Sequence, residues 1–173
     1  MSMSGKCLTI DLDEWDSMKE AVLQDASVGQ GTFTSVTEWI DGALARSTAR
    51  TFVIDTDEPT MVGGSDKGVD PLELILAAIG SCITIGWATR AAQRGLEFRK
   101  LSIIAEGAFD LRGFLGVEAS VRPGFTSINV SIEVDADIAE DVLSEIHEAS
   151  IKGSPVFDTV MRGTPITAGF TKM

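Results

Sequence analysis

Two cysteines and one histidine carry most of the nucleophilic chemistry open to this 173-residue chain: Cys7, Cys82 and His147. Cys82 lies in an apolar run, Leu74 to Ala88, interrupted by Gly80, Ser81, Thr84 and Gly86. At about 100° per residue, a helix places Ile75, Ala78, Ile79, Ile85 and Gly86 on the same face as Cys82. That company suits a small core residue, since free cysteine is among the most buried types. Apolar walls disfavour a thiolate, and the start of the helix is too distant to help. A nucleophilic Cys82 therefore needs a cation brought to it by the fold.

Arg46 and Arg50, which follow the Asp41-Gly42 dipeptide, are the cations that local reasoning offers; a solvated strand face is their other reading. Glu73 precedes Cys82 by nine residues, about 13 Å of helical rise and half a rotation, so the two cannot touch within one helix. Its position three residues after Asp70 instead completes a capping box. Ser154, ahead of Pro155, reads on its own as a helix N-cap. His147, between Ile146 and Glu148, reads as a surface or half-buried structural residue.

Two distant cysteines make neither a disulfide framework nor a zinc site, which takes about four N or S ligands, so no metal or other cofactor is expected. The run Gly63-Gly64-Ser65-Asp66-Lys67-Gly68 lacks the spacing of a phosphate loop, and Asp66 and Asp70 would repel an anion.

The elements that must position these residues are legible from pattern. Asp11–Gln24 reads as an amphipathic helix with Trp15, Met18, Val22 and Leu23 near one face. Thr32–Ile40 and Ala43–Ile54 read as a hairpin closed by a type I′ turn at Asp41-Gly42. A glycine-bearing loop leads to the clearest helix, with Asp70 as N-cap, Pro71 at the first turn and Gly95 as the stop. Its middle is apolar nearly all round, which implies a helix surrounded by protein.

Leu101–Phe109 alternates as a strand, Arg112–Gly116 reads as a flexible loop, and Ile128, Val130, Ile132 and Val134 mark one face of another strand. Asp137–Lys152 is a second helix, Ser154-Pro155 opens a short third one, and Thr164–Thr171 reads as a last strand. This order predicts an antiparallel-rich α+β fold wrapping a buried helix, not βαβ winding.

The formal charge of −12 makes nucleic acid and anionic membrane surfaces poor partners. The polar, acidic start lacks the apolar core of a secretory signal, and the Leu74–Ala88 run is shorter than the ~20 apolar residues of a membrane span. A cytoplasmic location, where free thiols persist, is the expectation.

Taken together, Gly63–Leu74, then Ala77-Ala78-Ile79-Gly80-Ser81-Cys82, and the Ser154-Pro155 step resemble the superfamily of osmotically inducible protein C (OsmC) and organic hydroperoxide resistance protein (Ohr). The element order agrees from about Thr32 to Thr171, which sets residues 31–173 as the OsmC-like domain and 1–30 as an N-terminal helical extension. The resemblance implies an intertwined homodimer whose curved sheets wrap two central helices. It also implies a thiolate that attacks a hydroperoxide, and a second cysteine that resolves the sulfenic acid as a disulfide. An Arg–Glu pair would activate the thiolate. Cys82 matches the peroxidatic cysteine, and Arg46 matches the arginine better than Arg50 does.

This chain departs from the pattern twice. Ser154 stands at the second-cysteine position, and Leu72 stands where the acidic residue usually follows the helix proline, with Glu73 one step on. Cys7 is the remaining thiol that an N-terminal fold-back would bring in. One implied function is a one-cysteine hydroperoxide reductase recycled by an external thiol. The other is a non-catalytic relative that binds a small apolar or electrophilic ligand in a dimer-interface pocket.

Overall fold

The computed structural model describes residues 10–172; Cys7 lies outside them. The chain is mixed α+β with antiparallel sheets, as the element order predicted, and the described residues form two compact units.

One unit holds residues 11–77 and 106–128. Helix α1 (Leu12–Gln24) starts at Asp11, whose carboxylate accepts the Glu14 N–H. Its contact is with the 3₁₀ turn Ala26–Gly29, where Val22 lies against Gly29. Trp15 and Met18, expected near one apolar face, are exposed, 50% and 52%.

Strands β1 (Val36–Asp41), β2 (Leu44–Ala49) and β3 (Phe52–Thr56) form an antiparallel meander in that order. The expected second arm, Ala43–Ile54, is thus two strands. Arg50 takes φ +57° and turns the chain, a conformation few non-glycine residues adopt. The first turn also differs from expectation. Asp41 pairs with Leu44, so Gly42 and Ala43 are central, and only Gly42 has positive φ (+55°). That is the pattern of a II′ turn, not I′.

The other unit holds residues 78–105 and 129–172 together with Ile10. Its centre is α2 (Pro71–Ala92), which enters this unit at Ala78. Ile79, Ile83, Trp87 and Ala91 recur at helical spacing and are buried, with Ile146 of α4 (Glu140–Lys152) in the same core. Gly86 permits the close approach of Ser150, whose Cβ would lie 3.3 Å from an added methyl. The helix ends in a Schellman motif: Leu96 N–H reaches Ala91 O, Gly95 N–H reaches Ala92 O, and Gly95 has φ +66°. Its hydroxyls stay compatible with an apolar helix by bonding backward, Thr84 to Gly80 O and Thr89 to Ile85 O.

By length and composition α2 is apolar enough to cross a membrane. The helix was expected to be covered on all sides, but a stripe of Ala77, Ser81 and Ile85, one turn apart, stays open in the single chain.

Strand β4 (Lys100–Ala108) pairs with β5 (Ser127–Asp135). The Arg99 N–H bonds to Asp135 O at one end and the Thr126 N–H to Ala108 O at the other, which makes the pair antiparallel. The expected Arg112–Gly116 loop contains a short helix, α3 (Leu111–Phe114), started by Asp110, whose carboxylate accepts the Arg112 N–H. Helix α5 (Pro155–Arg162) follows Ser154 as expected. The last strand expected at Thr164–Thr171 is not formed. The segment finds no strand partner among the described residues, and Ile166 and Phe170 are 90% and 97% exposed.

Candidate functional site

Cys82 is half-buried on α2, and its Sγ lies 3.1 Å from the Ser154 Oγ. Ser154 is 4% exposed and does two things at once. Its oxygen accepts the Phe157 N–H at 3.2 Å, the N-cap bond of α5. With one acceptor site engaged, the single hydroxyl proton is free to point at the cysteine sulfur. The sequence places Cys82 and Ser154 on separate helices, and the fold closes 72 positions to one hydrogen bond.

The two residues meet because α4 runs back along α2 through the Gly86–Ser150 contact and ends at Gly153. A Cβ at Gly153 would meet the Arg90 guanidinium, whose Nη1 donates to Gly86 O at 3.3 Å. Arg90 lies in the last turn of α2. Its place beside the residue preceding Ser154 depends on the α2–α4 packing.

Arg46, Arg50 and Glu73 belong to the first unit. Arg46 lies opposite Asp55 on β3 and opposite Glu38 on β1. It grips Asp55 with both prongs, Nε to Oδ1 at 2.7 Å and Nη2 to Oδ2 at 2.8 Å. This hydrogen bonding holds the Asp55 carboxyl below its ordinary range and raises the guanidinium above its own, so the Arg46 charge already has a partner. Arg50 stacks instead on Phe52, with Cζ 5.0 Å from the ring centroid.

Glu73 accepts the Asp70 N–H at 3.0 Å while the Asp70 Oδ1 accepts the Leu72 N–H at 2.6 Å, which is the anticipated capping box. His147 is exposed, its ring 6.1 Å from that of Trp87.

The loop before α2 is organised by Asp57, which pattern reading passed over. This carboxylate is 1% exposed and accepts the Glu58 N–H, the Ser65 N–H and Oγ–H, and the Lys67 N–H, at 2.6–3.1 Å. The Ser65 hydroxyl bond outweighs desolvation and holds the Asp57 carboxyl below its usual range. The glycines follow from that wrapping. A side chain at Gly64 would strike the Glu58 carbonyl, and one at Gly68 the Asp55 carbonyl. No periodicity announces such a residue, because its donors come from a loop.

The sequence profile of the OsmC-like protein family matches residues 64–169, more than half of the 173 positions. The chain belongs to the OsmC-like family. Its fold agrees with solved members. An OsmC-like protein from Mycoplasma pneumoniae superposes with a TM-score of 0.65 at 17% identity, over 76% of this chain and 89% of that one. An organic hydroperoxide resistance protein OsmC from Legionella pneumophila gives 0.54 at 14% identity, over 78% and 93%. The organic hydroperoxide resistance protein OhrB of Bacillus subtilis gives 0.50 at 18% identity, over 77% and 92%. At these identities the likeness establishes the fold. No curated protein sequence gives a significant match.

Proposed function

We propose that this OsmC-like protein reduces hydroperoxides with Cys82 as its one peroxidatic thiol. The observation that carries the reading is the Ser154 Oγ–H set against the Cys82 Sγ, because a donor there stabilises negative charge on sulfur. The thiolate attacks the distal oxygen of R–O–O–H, an S–O bond forms, and the O–O bond breaks. The oxygen electrons leave as alkoxide, which takes up a proton to give the alcohol, while Cys82 becomes a sulfenic acid. Ser154 cannot form a disulfide, so an external thiol displaces water from the sulfenic acid. A second equivalent then attacks the resulting mixed disulfide, releasing reduced Cys82 and the disulfide of the external thiol. By resemblance, Arg46 is the arginine we assign to activation, with Arg50 in reserve. The reaction requires no metal or other cofactor, and a cytoplasmic thiol pool suits it.

The assembly we assign is a homodimer. In a single chain the open stripe of α2 includes Ile85, 63% exposed, and the sheet presents Trp39 and Phe52, 74% and 61% exposed. Patches of this kind are typical of association surfaces. The unpaired Thr164–Thr171 segment is the part we expect to add as a strand to the second copy. A second reading rests on the Arg46–Asp55 pair and the Leu72 substitution: a charge already offset leaves a non-catalytic relative that holds a small apolar or electrophilic ligand.

Single-turnover reaction with cumene hydroperoxide and with hydrogen peroxide, in the presence of a sulfenic-acid trap, separates the two. Stoichiometric trapping at Cys82, lost in Cys82→Ser, is the expected result. Reaction at the rate of a free thiol in solution would overturn the peroxidase reading.

A further inference from the structure

The unit of residues 11–77 and 106–128 contains a cavity of about 500 Å³. Its walls are overwhelmingly apolar, and three phenyl rings, Phe109, Phe114 and Phe125, line it with Leu72 and Leu76 of α2. The polar side chains among its lining residues are Glu58, Asp70 and Glu73, and no Lys, Arg or His is among them. Three carboxyl groups of one sign therefore line an aromatic space that has no cationic side chain in its walls.

The consequence is visible at Glu58. Loss of solvation, followed by the charges of Asp70 and Asp57, raises the Glu58 carboxyl above its usual range. Asp70 and Glu73 are each held in place by the capping box at the start of α2.

We propose that this cavity binds a small organic ammonium, with its hydrocarbon part among Phe109, Phe114, Phe125 and Leu76 and its charged head against Glu58 and Asp70. Both halves of the site select the same chemistry. Phenyl faces attract a cation as well as an alkyl or aryl group, and neighbouring carboxylates accept N⁺–H donors. An anionic ligand is repelled, and a neutral apolar one gains nothing from the carboxylates. The inference does not depend on Cys82 and stands or falls separately from the peroxidase reading.

Isothermal titration of the full chain with 4-phenylbutylamine, 4-phenylbutan-1-ol and 4-phenylbutyrate tests it. The three share a skeleton and differ in the charge of the head. The amine is expected to bind about tenfold or more tighter than the alcohol, with no binding of the carboxylate. Glu58→Gln should remove about tenfold of the amine affinity and leave the alcohol unchanged. Leu76→Trp, which fills the cavity, should abolish both. If Leu76→Trp fails to fold, methyl NMR of the native chain keeps the test open: amine-induced shifts are expected at Leu72 and Leu76. Equal affinity for amine and alcohol, shifts elsewhere, or binding of none of the three would overturn the proposal. The last result would point to closure of the cavity by a second copy.

Discussion

Replacing Ser154 by alanine removes one oxygen and, with it, two interactions of different kinds. The first is the bond from the Phe157 N–H, at 3.2 Å, that starts α5. Loss of a serine cap costs about 1 kcal/mol. The second is the Oγ–H contact to Cys82 at 3.1 Å, worth roughly 0.5–1.5 kcal/mol for a neutral thiol. Both are lost from a site that is 4% exposed, where water cannot readily replace them. The sum is about 2 kcal/mol, which lowers the melting temperature of a domain this size by roughly 4–8 °C.

The reaction rate should fall further than stability does. A hydrogen bond to ionised sulfur is worth about 1.5–3 kcal/mol, so single-turnover sulfenate formation should slow by roughly 10- to 100-fold. Thermal unfolding and stopped-flow oxidation with cumene hydroperoxide read the two effects independently. Thr159→Ala serves as control, because it deletes an exposed hydroxyl from α5 that bonds only to Pro155 O among the described residues. A lower melting temperature with an unchanged rate would assign Ser154 to capping alone and refute the catalytic argument. No change in either would refute the geometry.

Ser154→Cys places a second sulfur beside Cys82 and should convert the protein to dithiol-dependent turnover, with a disulfide between Cys82 and the introduced thiol seen as a mass loss of two hydrogens; absence of the bond under peroxide would show that the backbone cannot reach disulfide geometry. Gly64→Ala should destabilise by about 3 kcal/mol in chemical denaturation, the upper part of the usual range for overpacking, because the added methyl meets the Glu58 backbone carbonyl. Asp57 has a depressed folded-state value, so its contribution is complete above the ordinary aspartate range and is lost as pH falls through the folded value. Asp57→Asn should accordingly be the less stable protein at neutral pH, with the difference in melting temperature shrinking below about pH 4; a pH-independent gap would contradict this sign. Truncation after Gly163 removes the exposed Ile166 and Phe170 and should abolish the proposed dimer, leaving a monomer in analytical ultracentrifugation; a dimer that survives the truncation would place the interface elsewhere.

Local chemistry was enough for the long helix. Asp70, Pro71, Glu73 and Gly95 carry its start and stop within a few residues of the backbone groups they satisfy, so both ends of α2 were readable before any packing was known. The β4 and β5 strands, the Ser154 cap and membership of the OsmC-like family were legible for the same reason, since each rests on short spacings. Where a short-range rule met a long-range partner, legibility ended. The Thr164–Thr171 alternation promised a strand, but a strand requires a neighbour, and the described residues of a single chain offer none. The apolar helix promised full cover, yet its Ala77–Ser81–Ile85 stripe remains open.

The site divides along the same line. Cys82 and Ser154 could be singled out as residues, but that they share one hydrogen bond is a product of the α2–α4 contact at Gly86 and Ser150. Likewise, the pairing of Arg46 with Asp55 is set by strand register, and the role of Asp57 by a loop that folds around it. Residue type and spacing within one helical turn or one strand are properties of the chain. Which charge meets which, and which sulfur meets which hydroxyl, depends on contacts between segments far apart in the chain, and only tertiary packing decides those.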